Sequence, residues 1–226
     1  MIKYKLTDKT QGWHGDLYRV VRLSDNLKGG WIEDEANLSH LGDCFVYGEA
    51  EVFGHASVSG NAQIHGKSRV SGFSLVCQEA KIYDSASIGG IARVSGNAII
   101  FGNASICEKA EVFGDAYIGG NVTVQDRARI FGETHLVGTA VIGSTTEIKD
   151  SYQVRHIQHV VRGINMTLTP THTCIGTDIK PNSEWLSPTV FSTWLKEQEF
   201  KTDGIFLDKK GIAFLRKTLK LFINVE

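Results

Sequence analysis

Histidine and cysteine side chains are the residues of this sequence that could bind a metal. His156 and His159 are three residues apart, and His172 stands two residues before Cys174, so the four side chains offer possible ligands for zinc. Their order and spacing match no zinc motif, and in an extended strand the rings of His156 and His159 point to opposite faces. We therefore expect no metal site and no cofactor.

General-base catalysis is the next chemistry to consider, because histidine often acts as the base. His55, His65 and His135 are the candidates outside the possible metal ligands. None of the three has an Asp or Glu at a spacing that would orient its ring. The sequence also contains no nucleophile elbow and no Ser-His-Asp pattern. We therefore expect no catalytic residues, although this does not settle whether the protein is an enzyme.

Binding of a small anionic ligand is the chemistry that the remaining residues favour. Cationic side chains gather after residue 152, where ten Lys/Arg face seven Asp/Glu, and such groups hold anions through charge-assisted hydrogen bonds. Aromatic rings supply a plane for a base. The same side chains also fit ordinary strands, so both interpretations stay open. The expected ligand contacts are Arg155, His156, His159, Arg162, Tyr83 and His65.

A six-residue repeat must position these side chains, since the chain from Phe45 to Gln158 divides into six-residue blocks without an insertion. The second position of each block is Val, Ile or Leu, the sixth is small in all but the last two blocks, and Gly dominates the fourth. The aliphatic and small residues fit a narrow interior, and Gly fits tight corners. Three blocks close a triangular turn of eighteen residues. The pattern predicts an all-β solenoid, a parallel β-helix of about six rungs spaced about 4.8 Å apart.

The flanking segments are predicted to cap the two ends of the solenoid, which would otherwise be open sheet edges. Residues 1–44 are expected to form an N-terminal β cap with two short strands around a turn at Gly15. Residues 45–158 are the β-helix. Residues 159–226 are expected to form a small α+β cap, with an extended segment followed by two helices.

Residues eighteen apart stack on one another, so the outward columns follow from the sequence. One column contains Tyr47, His65, Tyr83 and Phe101, and a neighbouring column contains Ile99 and Tyr117. This aromatic stripe has little reason to face water. Because hexapeptide prisms commonly form trimers, we expect a homotrimer. The expected interface residues are Tyr47, Phe101, Ile99 and Tyr117.

The composition excludes several other classes of protein. A net charge of −1 and a pI near 6.7 argue against a protein that coats nucleic acid. No apolar run has the roughly 18 residues of a membrane span. The four cysteines form no CxxC pair and are expected to be free thiols in a reducing cytoplasm.

The N-terminal half also resembles a known family. A Gly-Gly-Trp-Ile-Glu step at residues 29–33, a Glu-Ala-Asn-Leu-Ser turn at residues 35–39 and repeated Val-x-Gly-Asn-Ala blocks resemble the hexapeptide-repeat β-helix proteins of phage and prophage genomes. Such proteins are often labelled polymer-forming or transferase-like. The resemblance covers about residues 3–155. It implies a left-handed coil and a phage accessory protein in the host cytoplasm, and it carries no activity over to individual residues.

These observations favour a non-enzymatic phage counter-defence protein that sequesters a nucleotide-like ligand at the seams or caps of a homotrimer. The counter-defence role is an analogy with other phage accessory proteins. One alternative is an inhibitor that binds a host defence protein. Another is a CoA-dependent acyltransferase of the hexapeptide type, which the uninterrupted repeat disfavours because such enzymes usually carry a loop outside the coil.

Overall fold

The structure, a computed structural model, describes residues 2–12, 15–150, 155–161, 164–169, 172–175, 178–181, 189–190 and 193. Nearly all regular structure in these residues is β, and most of the strands stack in parallel as a β-helix. The predicted fold class is therefore confirmed. The coil has about seven turns rather than the six rungs predicted.

The strands of the coil are mostly two residues long and are separated by tight corners. In chain order the strands are β1 (Tyr4–Gly12), β2 (Gly15–Arg22), β3 (Lys28–Ile32), β4 (Phe45–Val46), β5 (Glu51–Val52), β6 (Ser57–Val58), β7 (Gln63–Ile64), β8 (Arg69–Val70), β9 (Leu75–Val76), β10 (Lys81–Ile82), β11 (Ser87–Ile88), β12 (Arg93–Val94), β13 (Ile99–Ile100), β14 (Ser105–Ile106), β15 (Glu111–Val112), β16 (Tyr117–Gly120), β17 (Thr123–Val124), β18 (Arg129–Ile130), β19 (His135–Gly138), β20 (Val141–Ile142), β21 (Glu147–Ile148), β22 (Arg155–Val161), β23 (Ile164–Leu168), β24 (His172–Ile175) and β25 (Asp178–Pro181). A single 3₁₀ turn, Glu35–Asn37, lies between β3 and β4.

Three sheets form the three faces of the prism. The aromatic face has the order β4-β7-β10-β13-β16-β19, and the charged face has the order β6-β9-β12-β15-β18-β21. The hairpin face has the order β1-β2-β3-β5-β8-β11-β14-β17-β20, with an antiparallel hairpin joined to its first parallel strand. Within the coil, each strand pairs in parallel with the strand that lies eighteen residues away.

The interior consists of the two residue types that the repeat predicts. In the described blocks the aliphatic residue is buried, as at Ile82 and Ile100, and so is the alanine at the sixth position, as at Ala80. Where a hydroxyl replaces the alanine, it is hydrogen-bonded: the Ser68 Oγ donates to the His65 carbonyl at 2.7 Å, Ser74 and Thr134 make the equivalent bond, and the Thr146 Oγ1 lies 3.2 Å from the His172 Nδ1. The core is therefore a stack of small aliphatic layers without an unpaired buried hydroxyl at this position.

Left-handed backbone geometry closes the corners. Most fourth positions are glycines with φ between 64° and 73°. Where another residue takes this place, its side chain accepts a hydrogen bond from the backbone of the next rung. Gln78 (φ 60°) accepts from the Gly96 N–H at 2.7 Å, and Asp84 (φ 58°) accepts from the Gly102 N–H at 2.9 Å. This bond stabilises a conformation that is otherwise costly for residues with a Cβ.

Parallel stacking begins before Phe45, inside the range predicted as the N-terminal cap. Ile32 in β3 pairs with Val52, and Leu38 bridges Val58 in parallel. These contacts add the rung that the prediction lacked. The two strands expected around Gly15 are present as β1 and β2, which form the antiparallel hairpin.

The last coil strand is β21, and a separate antiparallel sheet of β22-β23-β24-β25 follows it. This sheet packs on the end of the coil, since a Cβ on Gly143 would lie 2.2 Å from the Ile179 Cδ1. The Thr167 Oγ1 also accepts a hydrogen bond from the Val141 N–H at 3.3 Å. The block at 153–158 is predicted as the last block of the coil. Residues 155–158 belong to β22, and residues 153 and 154 lie outside the described residues. The two predicted C-terminal helices lie almost entirely outside the described residues.

Within the described part of the chain, no helix has the length and apolar character needed to cross a membrane.

Corner geometry gives a test of the fold. Gly96 has φ +70°, and an added Cβ would lie 2.7 Å from the backbone N and O of Gly114. Gly96→Ala should therefore lower the free energy of unfolding by about 2 kcal/mol or more. Gly89→Ala is the control, because its Cβ would meet only the Ser71 Oγ at 3.5 Å and its φ is not left-handed. Urea denaturation of both variants measures the difference. Equal stabilities would contradict the assigned corner geometry.

Candidate functional site

The aromatic face holds the largest set of outward rings in the described structure. In its first outward column, residues eighteen apart are paired in register on neighbouring strands. The column contains Phe45, Gln63, Lys81, Ile99, Tyr117 and His135. Two residues further along the chain in each rung, a second column contains Tyr47, His65, Tyr83, Phe101, Gly119 and Val137. Tyr47, Phe101, Ile99 and Tyr117, the predicted interface residues, all lie on this face and are half-buried. The columns deduced from the eighteen-residue spacing are thus confirmed.

Rings on consecutive rungs stack along the coil. Tyr47 and His65 have centroids 4.2 Å apart and planes within 1°, and His65 and Tyr83 have centroids 4.9 Å apart and planes within 20°. Parallel rings at this distance attract each other, and the rung spacing imposes nearly the same distance. The structure therefore brings together Tyr83 and His65, the two predicted ligand contacts of this face.

The ring stack is interrupted between Tyr83 and Phe101. Among the described residues, ring contacts stop at Tyr83 and begin again with Phe101, whose centroid lies 4.5 Å from that of Tyr117. The cause is Gly119, because a Cβ there would lie 2.0 Å from the Phe101 Cζ. The Phe101 ring thus occupies the space above Gly119, on the rung that follows its own. One face of the Tyr83 ring is left without an aromatic neighbour in the described structure.

Lys81 lies in the same rung as Tyr83, at one edge of this interruption, which we call the ring gap. Lys81 lies two residues before Tyr83 in the neighbouring column, and no ion pair of the described residues includes it. Burial, followed by the charge of Lys81, lowers the pKa of His65 below its usual value of 6.5. The neutral His65 ring lies 3.3 Å from the Gln63 Oε1 through its Nε2. The cationic group at the ring gap is therefore the lysine and not the histidine.

The predicted ligand residues fall into two separate groups. Tyr83 and His65 lie in the middle of the aromatic face, whereas Arg155, His156 and His159 belong to β22, beyond the last turn of the coil. The backbone of Arg155 pairs with Leu168 and that of His156 with Thr167, but the side chains of this segment lie outside the described part of the structure.

Arg162 lies outside the described residues altogether. Three further strands of the aromatic face, β13, β16 and β19, separate Tyr83 from the end of the coil. The backbone of β22 therefore lies several rungs away from Tyr83 in the same chain.

On the charged face, outward side chains form ion pairs and ring contacts with one another. The Arg129 Nε lies 3.2 Å from the Glu111 Oε2, and its Nη1 lies 2.5 Å from the Glu147 Oε1. The guanidinium also lies 5.5 Å from the ring centroid of Phe113, which stacks on Phe131. Glu111, Arg129 and Glu147 of the alternating column predicted from the sequence thus form a ladder of neighbouring rungs, whereas no ion pair of the described residues includes Arg93. Nothing in this ladder requires a ligand.

Two open cavities lie elsewhere in the described structure. One, of about 660 Å³, lies at the N-terminal end of the aromatic face and is lined in part by Lys3, Arg22 and Phe45. Its cations already have partners, since Arg22 pairs with Asp25 at 2.6 Å and the Lys3 Nζ donates to the Cys44 carbonyl at 2.7 Å.

The other cavity is a shallow groove of about 710 Å³ at the corner between the hairpin and charged faces. Its carboxylates accept backbone hydrogen bonds. The Glu108 Oε2 accepts from the Asp126 N–H at 3.1 Å, and the Asp126 Oδ2 accepts from the Ser144 N–H at 2.5 Å. The ring gap therefore remains the place where an aromatic plane and a cation without an ion pair lie together.

Catalytic and metal-binding constellations are not assembled in the described residues. His55 stacks on Phe73 with centroids 4.7 Å apart, and the hydrogen bond of the His65 ring is with Gln63 and not with a carboxylate. No group of three or more His, Cys, Asp or Glu side chains converges within the described ranges. All four cysteines are free thiols, and burial raises the pKa of Cys77 and Cys107, which makes them poor nucleophiles.

Gly119 and Lys81 are the two residues of this site that were not among the predicted contacts. The eighteen-residue spacing places Gly119 directly after Phe101 in the second column, so its position was available from the sequence. The movement of the Phe101 ring into the space above Gly119 was not available, because it depends on a side-chain torsion.

Comparison with models of known protein families gives no match, and neither does comparison with curated protein sequences. The resemblance to phage hexapeptide-repeat proteins therefore stays a prediction.

The lowered pKa of His65 predicts a pH dependence of stability. At pH values between the lowered pKa of His65 in the folded chain and its usual value of 6.5, the unfolded chain binds more protons than the folded chain. The free energy of unfolding should therefore fall as the pH drops through this window. His65→Phe keeps a ring in the stack and should lose less stability than the wild type between pH 7.5 and pH 5. Melting curves over this range test the prediction. An equal loss of stability in the wild type and in His65→Phe would contradict the prediction.

Proposed function

We propose that the protein is a non-enzymatic homotrimer that binds and holds a small anionic, nucleotide-like ligand at the seams between its subunits. The observation that carries this proposal is the ring gap beside Lys81. There the side of the Tyr83 ring that has no aromatic neighbour in the described structure offers a plane for a base, and the lysine offers a charge for a phosphate.

The aromatic side favours a planar ligand. Stacking of a base on an aromatic side chain contributes about 1–3 kcal/mol, and it tolerates different bases because every base has a π face. Tyr83 is supported from behind by its stacking on His65, whose ring in turn stacks on Tyr47. A ring held in this way loses little conformational entropy when a ligand binds, which favours affinity.

The apolar side favours a trimer. The aromatic face carries half-buried rings and aliphatic side chains over several rungs, and surfaces of this kind usually mark an interface. A threefold axis parallel to the coil would bring three Lys81 side chains together at one height. Three like charges in a partly apolar seam repel one another, and a bound anion neutralises them. The proposed ligand and the proposed trimer therefore stabilise each other.

The basic residues of β22 belong to a separate part of the proposal. Arg155, His156 and His159 belong to β22, which follows the coil several rungs from Tyr83, and Arg162 lies outside the described residues. They remain predicted contacts for an anionic group at the end of the prism. The location in the cytoplasm of a phage host rests on the sequence resemblance, and the counter-defence role rests on an analogy with other phage accessory proteins.

Thermal shift with a panel of cyclic and ADP-ribose-type nucleotides tests ligand binding. At least one nucleotide should raise the melting temperature, because a ligand at a hundred times its Kd adds about 2.7 kcal/mol of stability. Tyr83→Ala and Lys81→Gln should remove most of this shift. Lys109→Gln removes the same charge from an exposed corner and should keep the shift. A panel without any shift would overturn the proposal.

Gly119→Ala tests the ring gap itself. The new methyl group would meet the Phe101 ring, which must leave the space above residue 119. Because that ring is a mobile side chain, the unliganded protein should lose little stability, whereas nucleotide binding should weaken. Gly89→Ala is the matched control on the hairpin face. Unchanged nucleotide affinity in Gly119→Ala would show that the ring gap is not the binding site.

A further inference from the structure

We infer that the corner of one protomer that carries Glu79, Asn97, Asp115 and Glu133 packs along the corner of its neighbour that carries Ser85, Asn103, Asn121 and Thr139, so that the neighbour's Asn97 closes the ring gap. We call the first the acidic corner and the second the amide corner. This inference rests on the proposed trimer and on its proposed ligand site.

Symmetry fixes which residues can meet. A rotation about an axis parallel to the coil leaves the height of every residue along the coil unchanged. Eighteen residues advance the coil by about 4.8 Å, so residues six apart in sequence differ in height by only about 1.6 Å. Neighbouring protomers therefore contact each other through residues of nearly equal number.

Charge decides which face turns towards the axis. Threefold symmetry brings three copies of each residue together at one height. Opposite charges on neighbouring rungs of a column therefore do not remove the repulsion between the three like charges at each height. The charged face would place three copies of each of its ionised residues around the axis, namely Arg93, Glu111, Arg129 and Glu147. The outward column of the hairpin face contains Glu51 and Arg69, whereas from Phe45 to Tyr117 the outward columns of the aromatic face contain one ionised residue, Lys81. The aromatic face therefore turns inward, and the two corners beside it meet.

The two corners match in height and in hydrogen-bonding character. The carboxylates of Glu79, Asp115 and Glu133 are exposed, and no ion pair of the described residues includes them. Six residues further along the chain, the amide corner offers a hydroxyl or amide donor at each of these heights. The facing pairs are Glu79 with Ser85, Asn97 with Asn103, Asp115 with Asn121, and Glu133 with Thr139. None of these pairs brings two like charges together.

The ring gap lies beside the amide corner, because Tyr83 directly precedes the turn at residues 84–85. Asn97 of the neighbouring acidic corner has a height between those of Tyr83 and Phe101, which bound the gap. The Asn97 Nδ2 donates to the Asp115 Oδ1 at 2.8 Å within its own chain, so its Oδ1 and its second N–H are the groups available to the neighbouring corner and to a ligand. An amide oxygen accepts a hydrogen bond. The favoured ligand is therefore a nucleotide whose base has an N–H or amino donor on its edge.

Disulfide trapping in the full-length chain tests the seam. Asp115→Cys combined with Asn121→Cys places the thiols on the two corners at opposite edges of the aromatic face, so a disulfide forms only between copies. Mild oxidation should give a covalent trimer on a denaturing gel. Asp115→Cys combined with Lys109→Cys joins the corners beside the charged face and should give none. A trimer from the second pair, or none from the first, would overturn the inferred seam.

Asn97→Ala tests the closure of the ring gap. Loss of one hydrogen bond should weaken nucleotide binding about 3- to 10-fold. Asn61→Ala is the matched control, because Asn61 lies two rungs earlier in the same corner and also donates to an acidic residue, Glu79. Equal affinities of the two variants would overturn the role of Asn97. A trapped trimer that binds no nucleotide would overturn the ligand site and keep the seam.

Discussion

The hydrogen-bonded ladder between residues eighteen apart is the constraint on which the rest of the structure depends. Backbone N–H groups of one rung donate to carbonyls of the next rung, as Lys81 does to Ala98 at 2.9 Å and Tyr83 to Ile100 at 2.8 Å. This ladder sets the height of every side chain to a multiple of one rung spacing. Inside, it stacks aliphatic residues into a continuous core. Outside, it forms columns in which each side chain lies above or below its successor on the next rung, and these columns organise the outward surface.

A column of rings is stable because the ladder spacing and the stacking distance of aromatic rings are nearly equal. A small residue in such a column therefore has an effect beyond its own position. Gly119 leaves a space that Phe101 fills, and the side of Tyr83 that Phe101 would otherwise cover remains open. The proposed ligand site is thus a local interruption in a regular surface, placed next to a single lysine. A binding site of this kind needs no loop outside the coil, which agrees with the uninterrupted repeat from Phe45.

Much of the fold could be predicted from the sequence, because the repeat is strict. The inward residues, the left-handed corners and the outward columns all followed from the period of six. The first rung was not included, because an offset of two residues at Leu41–Cys44 separates Leu38 from the regular blocks, although Leu38 lies in register above Val58. The site was predictable only in part. Tyr83 and His65 were found from their column, whereas the ring gap depends on the torsion that turns Phe101 towards Gly119.

The central claim is that three chains hold an anionic nucleotide between their aromatic faces. Native mass spectrometry of the intact protein, with and without the nucleotide that raises its melting temperature, measures the subunit number and the bound mass together. The account predicts a trimer that gains the mass of the nucleotide and loses it on denaturation. A monomer, or a trimer that gains no mass, would contradict the account.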